Sequence, residues 1–296
     1  MTPGVSRAAP AGLFARSGGV LTVLFVGPFL VYVAAFLILP TGMLLAEAFA
    51  GKHGFTLRYV HELGQGQTVV AFRNSIVLSA FSALVGLIFG GLAAYFTMRP
   101  GMPRGLRSLV TTFSAVAANF AGVPLAFAFI ATLGSLGMIT VWLKAAGIDL
   151  YGMGFSLYSL SGLVLVYAYF QIPLMIIVIA PALEALRREW REAAENLGAS
   201  AWDYWRHVGL PILLPSLLSA YILLFGNAFS AYATPYALTS GIVSLVPVEI
   251  SNVLSGNVML SAQTGAALAL GMIVVMVVVM GLYALIARRV SRWTRR

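Results

Sequence analysis

Apolar residues gather along this chain in six long blocks, at roughly 20–46, 75–97, 108–134, 157–183, 210–234 and 264–287. None of the six contains Asp, Glu, Lys, Arg or His. A helix needs about 20 mostly apolar residues to cross the hydrocarbon region of a bilayer, so each block predicts one membrane-spanning helix. The expected fold is therefore all-α, a polytopic bundle of six transmembrane helices. The expected layout is a polar tail at 1–19, a membrane domain at 20–287 with a charged loop at 184–209, and a basic tail at 288–296. The first block is preceded by Arg7 and Arg16 and followed by Ala46-Glu47-Ala48, as a signal peptide would be. Its apolar run is much longer than the ~7–15 residues of a signal core, and it is read as a retained helix.

Lys and Arg set the orientation. With six alternating crossings, fourteen of the eighteen fall on the side of the N-terminus, and only Lys52, Arg58, Arg73 and Lys144 fall on the other. Both termini are expected in the cytoplasm. Composition agrees: 60% of 296 residues are hydrophobic and 9% charged, more apolar surface than one soluble core can hide. The absence of cysteine excludes disulfides, CxxC pairs and thiolate metal sites. The net charge of +9 would also suit nucleic acid, but the basic tail reads as a headgroup anchor with Trp293 at the interface, in no nucleic-acid-binding context. Ser82, Gly86, Gly90 and Ala94 make a smooth stripe for close helix packing. Pro124 and Pro173 are expected to kink crossings three and four.

The charged loop is ordered. Glu184–Arg188, Arg188–Glu192 and Arg191–Glu195 are opposite charges at i,i+4, which predicts a helix continuing out of crossing four. Gly198 is placed to end it in a left-handed turn, and Ser200 with Asp203 fits a capping box opening a second short helix at an angle to the first. Ala193, Ala194 and Ala199 leave a shallow surface, and Pro211 marks the start of crossing five.

The loop reads EAA at 192–194, Gly198 four residues later, then VGLP at 208–211. It resembles the cytoplasmic signature loop of permease subunits in binding-protein-dependent ABC importers, with Val208 where the family pattern has Ile. The resemblance implies a type I importer permease in the bacterial inner membrane. Glu192, Ala193, Ala194 and Gly198 would then dock into a cleft of a separate ATPase, with Leu210 and Pro211 tying the loop to crossing five. It also implies a dimer of ATPase subunits that carries the ATP and Mg, a second permease subunit, and an extracytoplasmic solute-binding protein. No cofactor is implied on this chain.

An external motor also follows from the chemistry. Ion-coupled carriers keep ionisable groups within the bilayer, and these blocks have none. The nearest phosphate-loop fragment, AGKHG at 50–54, lacks the leading Gly and the Ser/Thr. A Na⁺ site made of carbonyls and hydroxyls is the surviving alternative for a secondary transporter. Catalysis has no support, since His53, His61 and His207 form no metal-binding pattern and no nucleophile elbow is present. Asn119, Tyr167, Gln171, Asn227, Ser230, Tyr232 and Thr234 stand out among the polar residues in crossings three to five. As a set they are candidates to line a solute path, and singly each also suits helix packing. The YAYFQIPLMI run at 167–176 and the tail of crossing five are similar to the polyamine-permease branch, which implies a small organic, polyamine-like solute. Permeases for iron, thiamine, phosphonates and other small organic solutes share that branch, and a sugar, phosphonate, thiamine or iron is the alternative solute within the same importer class.

Overall fold

The structure is a computed structural model and describes residues 25–51, 54–99, 101–255 and 258–294. The tail at 1–19, the start of crossing one, Lys52, His53 and the last two arginines lie outside the described residues. Six helical spans are long and apolar enough to cross a membrane. They are Phe25–Glu47 (α1), Gly66–Met98 (α3), Val123–Ala145, Leu160–Glu184 (α7), Ala201–Ser230 (α9) and Ala262–Arg289, the last lying within helix Val258–Thr294 (α12). Shorter helices are Arg58–Glu62 (α2), Arg104–Asn119 (α4), Ala233–Thr239 (α10) and Val246–Ser255 (α11). A two-residue hairpin pairs Ala50 with Phe55 and Gly51 with Gly54.

Crossing three departs most from its apolar block. A single kinked helix over 108–134 is expected; the chain instead forms α4, breaks at 120–122, and resumes as Val123–Leu133 (α5) and Met138–Ala145 (α6). The break falls at Gly122, whose φ of +77° only glycine adopts without strain. Pro124 lies in the first turn of α5, where its missing N–H costs nothing. Pro173 lies inside α7, which continues unbroken past it and past Pro181.

Two other prolines show how this sequence keeps long helices continuous. Wide π-helical turns at Ala34–Ile38 and Trp205–Gly209 lie just ahead of Pro40 and Pro211. A proline ring clashes with the carbonyl four residues back and leaves it unpaired. Residues 36 and 207 carry those carbonyls, and both lie within the widened turns.

The core is organised along α7, the most buried span. Its first half packs Leu163, Val166, Tyr167 and Phe170 against Leu78, Leu125, Ala228 and Leu245. Its second half packs Met175, Ile176 and Ile179 against Ala83, Ala94, Leu224 and Phe225. The small-residue stripe makes the second contact possible. A Cβ on Gly86 would come within 2.9 Å of Gln171 Cβ, and one on Gly90 within 2.5 Å of the Ile172 carbonyl oxygen. At the far end, Ser75 Oγ accepts the Val246 N–H (2.9 Å), and Asn74 donates to the Ser244 carbonyl (3.2 Å). These bonds fasten the 240–246 loop to α3. Phe25–Ile38 of α1 buries no residue within this chain, and α4 leaves Leu106, Leu109, Phe113 and Val116 exposed along one face.

Candidate functional site

The charged loop folds into a short amphipathic helix, Arg188–Asn196 (α8), followed by a tight turn and then α9. Arg188–Glu192 (3.1 Å) and Arg191–Glu195 (2.9 Å) bridge successive turns. The Glu195 carboxylate hydrogen-bonded to Arg191 holds that guanidinium above the ordinary arginine pKa. The expected Glu184–Arg188 pair is absent, because the chain leaves the helix at 185–187 and α8 begins afresh. Glu184 pairs with Arg107 of α4 instead, which anchors the loop to the bundle.

The turn is built on Gly198, at φ +79°. The Gly198 N–H donates to the Glu195 carbonyl and the Ala199 N–H to the Ala194 carbonyl, both at 3.0 Å. This crossed pair is the hydrogen-bond pattern that ends a helix on a left-handed residue. Nothing lies within 4 Å of a Cβ placed at Gly198, so a larger residue is opposed by backbone conformation and not by crowding within the chain. Ser200 and Asp203 then form the expected capping box, Ser200 Oγ accepting the Asp203 N–H and Asp203 accepting the Ser200 N–H (3.1 Å).

The second helix is not a separate short piece. It is the first turn of α9, which runs through the wide turn at 205–209 and past Leu210 and Pro211. One turn therefore joins α8 to a continuous helix. Gly209 is buried against the Trp205 ring, where a Cβ would lie 2.7 Å from a ring carbon, so the VGLP sequence needs its glycine for packing. Trp205 also meets Tyr95 of α3 edge-on at 5.1 Å. Ser200→Ala removes one capping acceptor and should weaken the start of α9 by about 1 kcal/mol. The check is amide exchange over 201–206, which should quicken roughly fivefold.

Among the expected docking residues, Glu192, Ala193 and Gly198 are exposed, Ala194 is half-buried, and Leu210 is exposed beside half-buried Pro211. Sequence reasoning passed over two others: Leu197 is 88% and Trp202 72% exposed, on either side of the Gly198 turn. Large apolar residues at the tip of a charged loop are a signal of contact, and both were visible in the sequence.

The path candidates separate into two groups. Tyr167, Gln171 and Thr234 are buried. Gln171 donates to the Leu224 carbonyl (2.8 Å), and Thr234 Oγ1 accepts the Gly122 N–H (2.8 Å), so both join helices to one another. Asn119, Asn227, Ser230 and Tyr232 are exposed on this chain. The Thr234–Gly122 bond brings the break in crossing three against the one between α9 and α10. Asn119, Ser230 and Tyr232 lie on the residues flanking these breaks. Tyr232 stacks on Tyr236 at 5.2 Å and accepts a hydrogen bond from Ser251 (2.8 Å). Polar side chains at membrane depth face water or protein rather than lipid, and these four share that requirement.

Six spans, no ionisable residue in their apolar blocks and a capped external loop define a membrane transport subunit of the permease class. Residues 86–292 match the family described as binding-protein-dependent transport system inner membrane component, and the chain belongs to that family. It is a multi-pass protein of the bacterial inner membrane and the permease subunit of a binding-protein-dependent ABC importer. The sulfate transport system permease protein CysT of Escherichia coli is 26% identical over 211 residues, 71% of this chain and 72% of that protein. The molybdenum transport system permease protein ModB of Mycobacterium tuberculosis is 28% identical over 181 residues, 60% of this chain and 65% of that one. The fold is that of type I importer permeases. A bacterial alginate ABC transporter, solved in complex with alginate pentasaccharide-bound periplasmic protein, aligns with TM-score 0.74 at 19% identity, covering 94% of this chain and 98% of that one.

Proposed function

We propose that this chain is the moving half of the solute path, driven through α8 by an ATPase dimer on the cytoplasmic side, with both its termini on that side. The observation that carries this reading is the rigid series α8, Gly198 turn, capping box and α9, ending at the breaks that carry Asn119, Ser230 and Tyr232. Glu192, Ala193, Ala194 and Gly198, with Leu197 and Trp202, meet the ATPase. A second permease subunit covers the exposed polar face of α9 and the exposed faces of α1 and α4. A solute-binding protein seats at the opposite end, where Leu136, Ile242 and Met153 stand exposed on loops.

The solute is read as a small oxyanion. The named relatives carry sulfate and molybdenum, and none reported above carries a polyamine. No carboxylate occurs in the apolar blocks to meet a polyamine, whereas Asn119 and Asn227 offer neutral amide donors to an anion. The test is to purify the chain with the ATPase and binding protein encoded beside it and to measure ATP hydrolysis as sulfate, molybdate or spermidine is added. Stimulation by an oxyanion supports the reading, and stimulation by spermidine reinstates the polyamine. Uptake by this polypeptide alone on an ion gradient would overturn the coupling.

A further inference from the structure

At the α8 end of the bundle, Arg99, the 101–104 segment, the end of α7 and the starts of α8 and α9 line a half-open cavity of about 610 Å³. Arg99, Arg104, Arg107, Arg187, Arg188 and Arg191 line it, against one carboxylate, Glu184. Three of these arginines are compensated: Arg107 by Glu184, Arg188 by Glu192 and Arg191 by Glu195. Arg99 and Arg104 have no ionic partner among the described residues, and Arg187 rests its guanidinium over the Trp190 ring at 5.9 Å.

The inward bias of basic residues explains why arginines occur on this side, but only requires that they stay out of hydrocarbon. It does not gather them around a hollow, where like charges repel until an anion enters. The rest of the lining narrows the choice of anion. Met98, Met102, Leu183 and Leu186 supply an apolar rim, and Tyr95, Tyr204 and Trp205 an aromatic wall. Met98, Arg104 and Glu184 are ends of helices α3, α4 and α7, so the cavity opens at the depth where lipid headgroups lie. Guanidinium groups match phosphate oxygens in a planar fork.

We propose that this cavity is a binding site for a phosphate-bearing anion, the headgroup of an anionic phospholipid, held by Arg99, Arg104 and Arg187. A bound headgroup joins Arg99 and the 101–104 segment to the start of α8 and so fixes the resting position of the coupling helix. That consequence rests on the coupling reading above; the binding itself does not.

The test uses the full chain purified in detergent, with native mass spectrometry counting retained phosphatidylglycerol against added phosphatidylcholine. The wild type should retain phosphatidylglycerol selectively, and R99Q/R104Q should weaken that retention roughly 30-fold. Exposed Arg206 does not line the cavity, and R206Q should leave retention unchanged. The charge-keeping R99K/R104K should still bind, which guards against misfolding. Inorganic phosphate at millimolar concentration separates the sources: displacement of the lipid assigns the site to a free phosphate, and indifference assigns it to the headgroup. Equal retention by wild type and R99Q/R104Q, or of both lipids by the wild type, overturns the proposal. Because the readout is lipid carried by this chain alone, it stands whether or not an ATPase grips α8.

Discussion

Gly198→Val should leave the chain inserted and assembled, yet lower solute uptake about five- to thirtyfold while the partner ATPase continues to turn over. The residue holds φ at +79°, and two main-chain hydrogen bonds of 3.0 Å depend on that turn. A β-branched residue opposes the left-handed conformation by roughly 1–2 kcal/mol, so the fraction of molecules with α8 correctly set against α9 falls by that factor. Crowding inside the chain is not the cause, since no atom lies within 4 Å of the new Cβ. A graded series separates strain from contact with the ATPase. Gly198→Asn, which tolerates the left-handed region, should retain most uptake. Gly198→Asp shares that tolerance but adds a charge, so a loss in Asp and not in Asn marks a close, desolvated partner surface. Reconstituted uptake measured alongside ATP hydrolysis is the check, and wild-type uptake in Gly198→Val would remove this turn from the coupling.

Most of this architecture was legible in the residues because the bilayer imposes a coarse rule. Runs of about 20 apolar residues must be helices, and four of the six blocks each supply one helix over their described residues, while the fifth runs past the end of α9 at Ser230 into α10. Crossing three was misread because hydropathy records where a segment lies and not whether its backbone is continuous. The break depends on Gly122, whose N–H donates a hydrogen bond to a residue more than a hundred positions away, Thr234. The Gly198 turn was readable because its signals are local: a glycine C-cap and a Ser-x-x-Asp box act within a few residues. Glu184 was assigned the wrong partner for the converse reason. Its i,i+4 neighbour is favourable only if the helix continues, and Arg107, which takes its place, belongs to another helix. The candidate path residues divide along the same line. Asn and Gln within an apolar block announce a required partner, but only tertiary packing tells a buried clasp such as Gln171 from an exposed group such as Asn227.

That clasp lies beside a close helix contact in the core, and Gly90→Ala should damage it more than any other single methyl added along the stripe. The new Cβ would lie 2.5 Å from the Ile172 carbonyl oxygen and 2.6 Å from Met175 Cβ. A main-chain oxygen and a Cβ are both fixed by the backbone, so no rotamer change relieves either contact and α3 and α7 must part. Protein interiors are packed too closely to absorb such a shift locally, and overpacking of this kind costs about 1–3 kcal/mol. Gly86→Ala meets a side-chain terminus, Leu224 Cδ2, at 2.7 Å, which can move, and the fixed Gln171 Cβ at 2.9 Å, a milder overlap than the 2.5 Å at Gly90, and should cost less. Gly91→Ala meets only Met175 Cε at 3.7 Å, an ordinary contact, and should be tolerated. The expected order of thermal stability in detergent is therefore Gly91→Ala above Gly86→Ala above Gly90→Ala. If Gly90→Ala melts with the wild type, then α3 is not held at contact distance from α7. The helix that anchors both halves of the core would then be free to slide during transport.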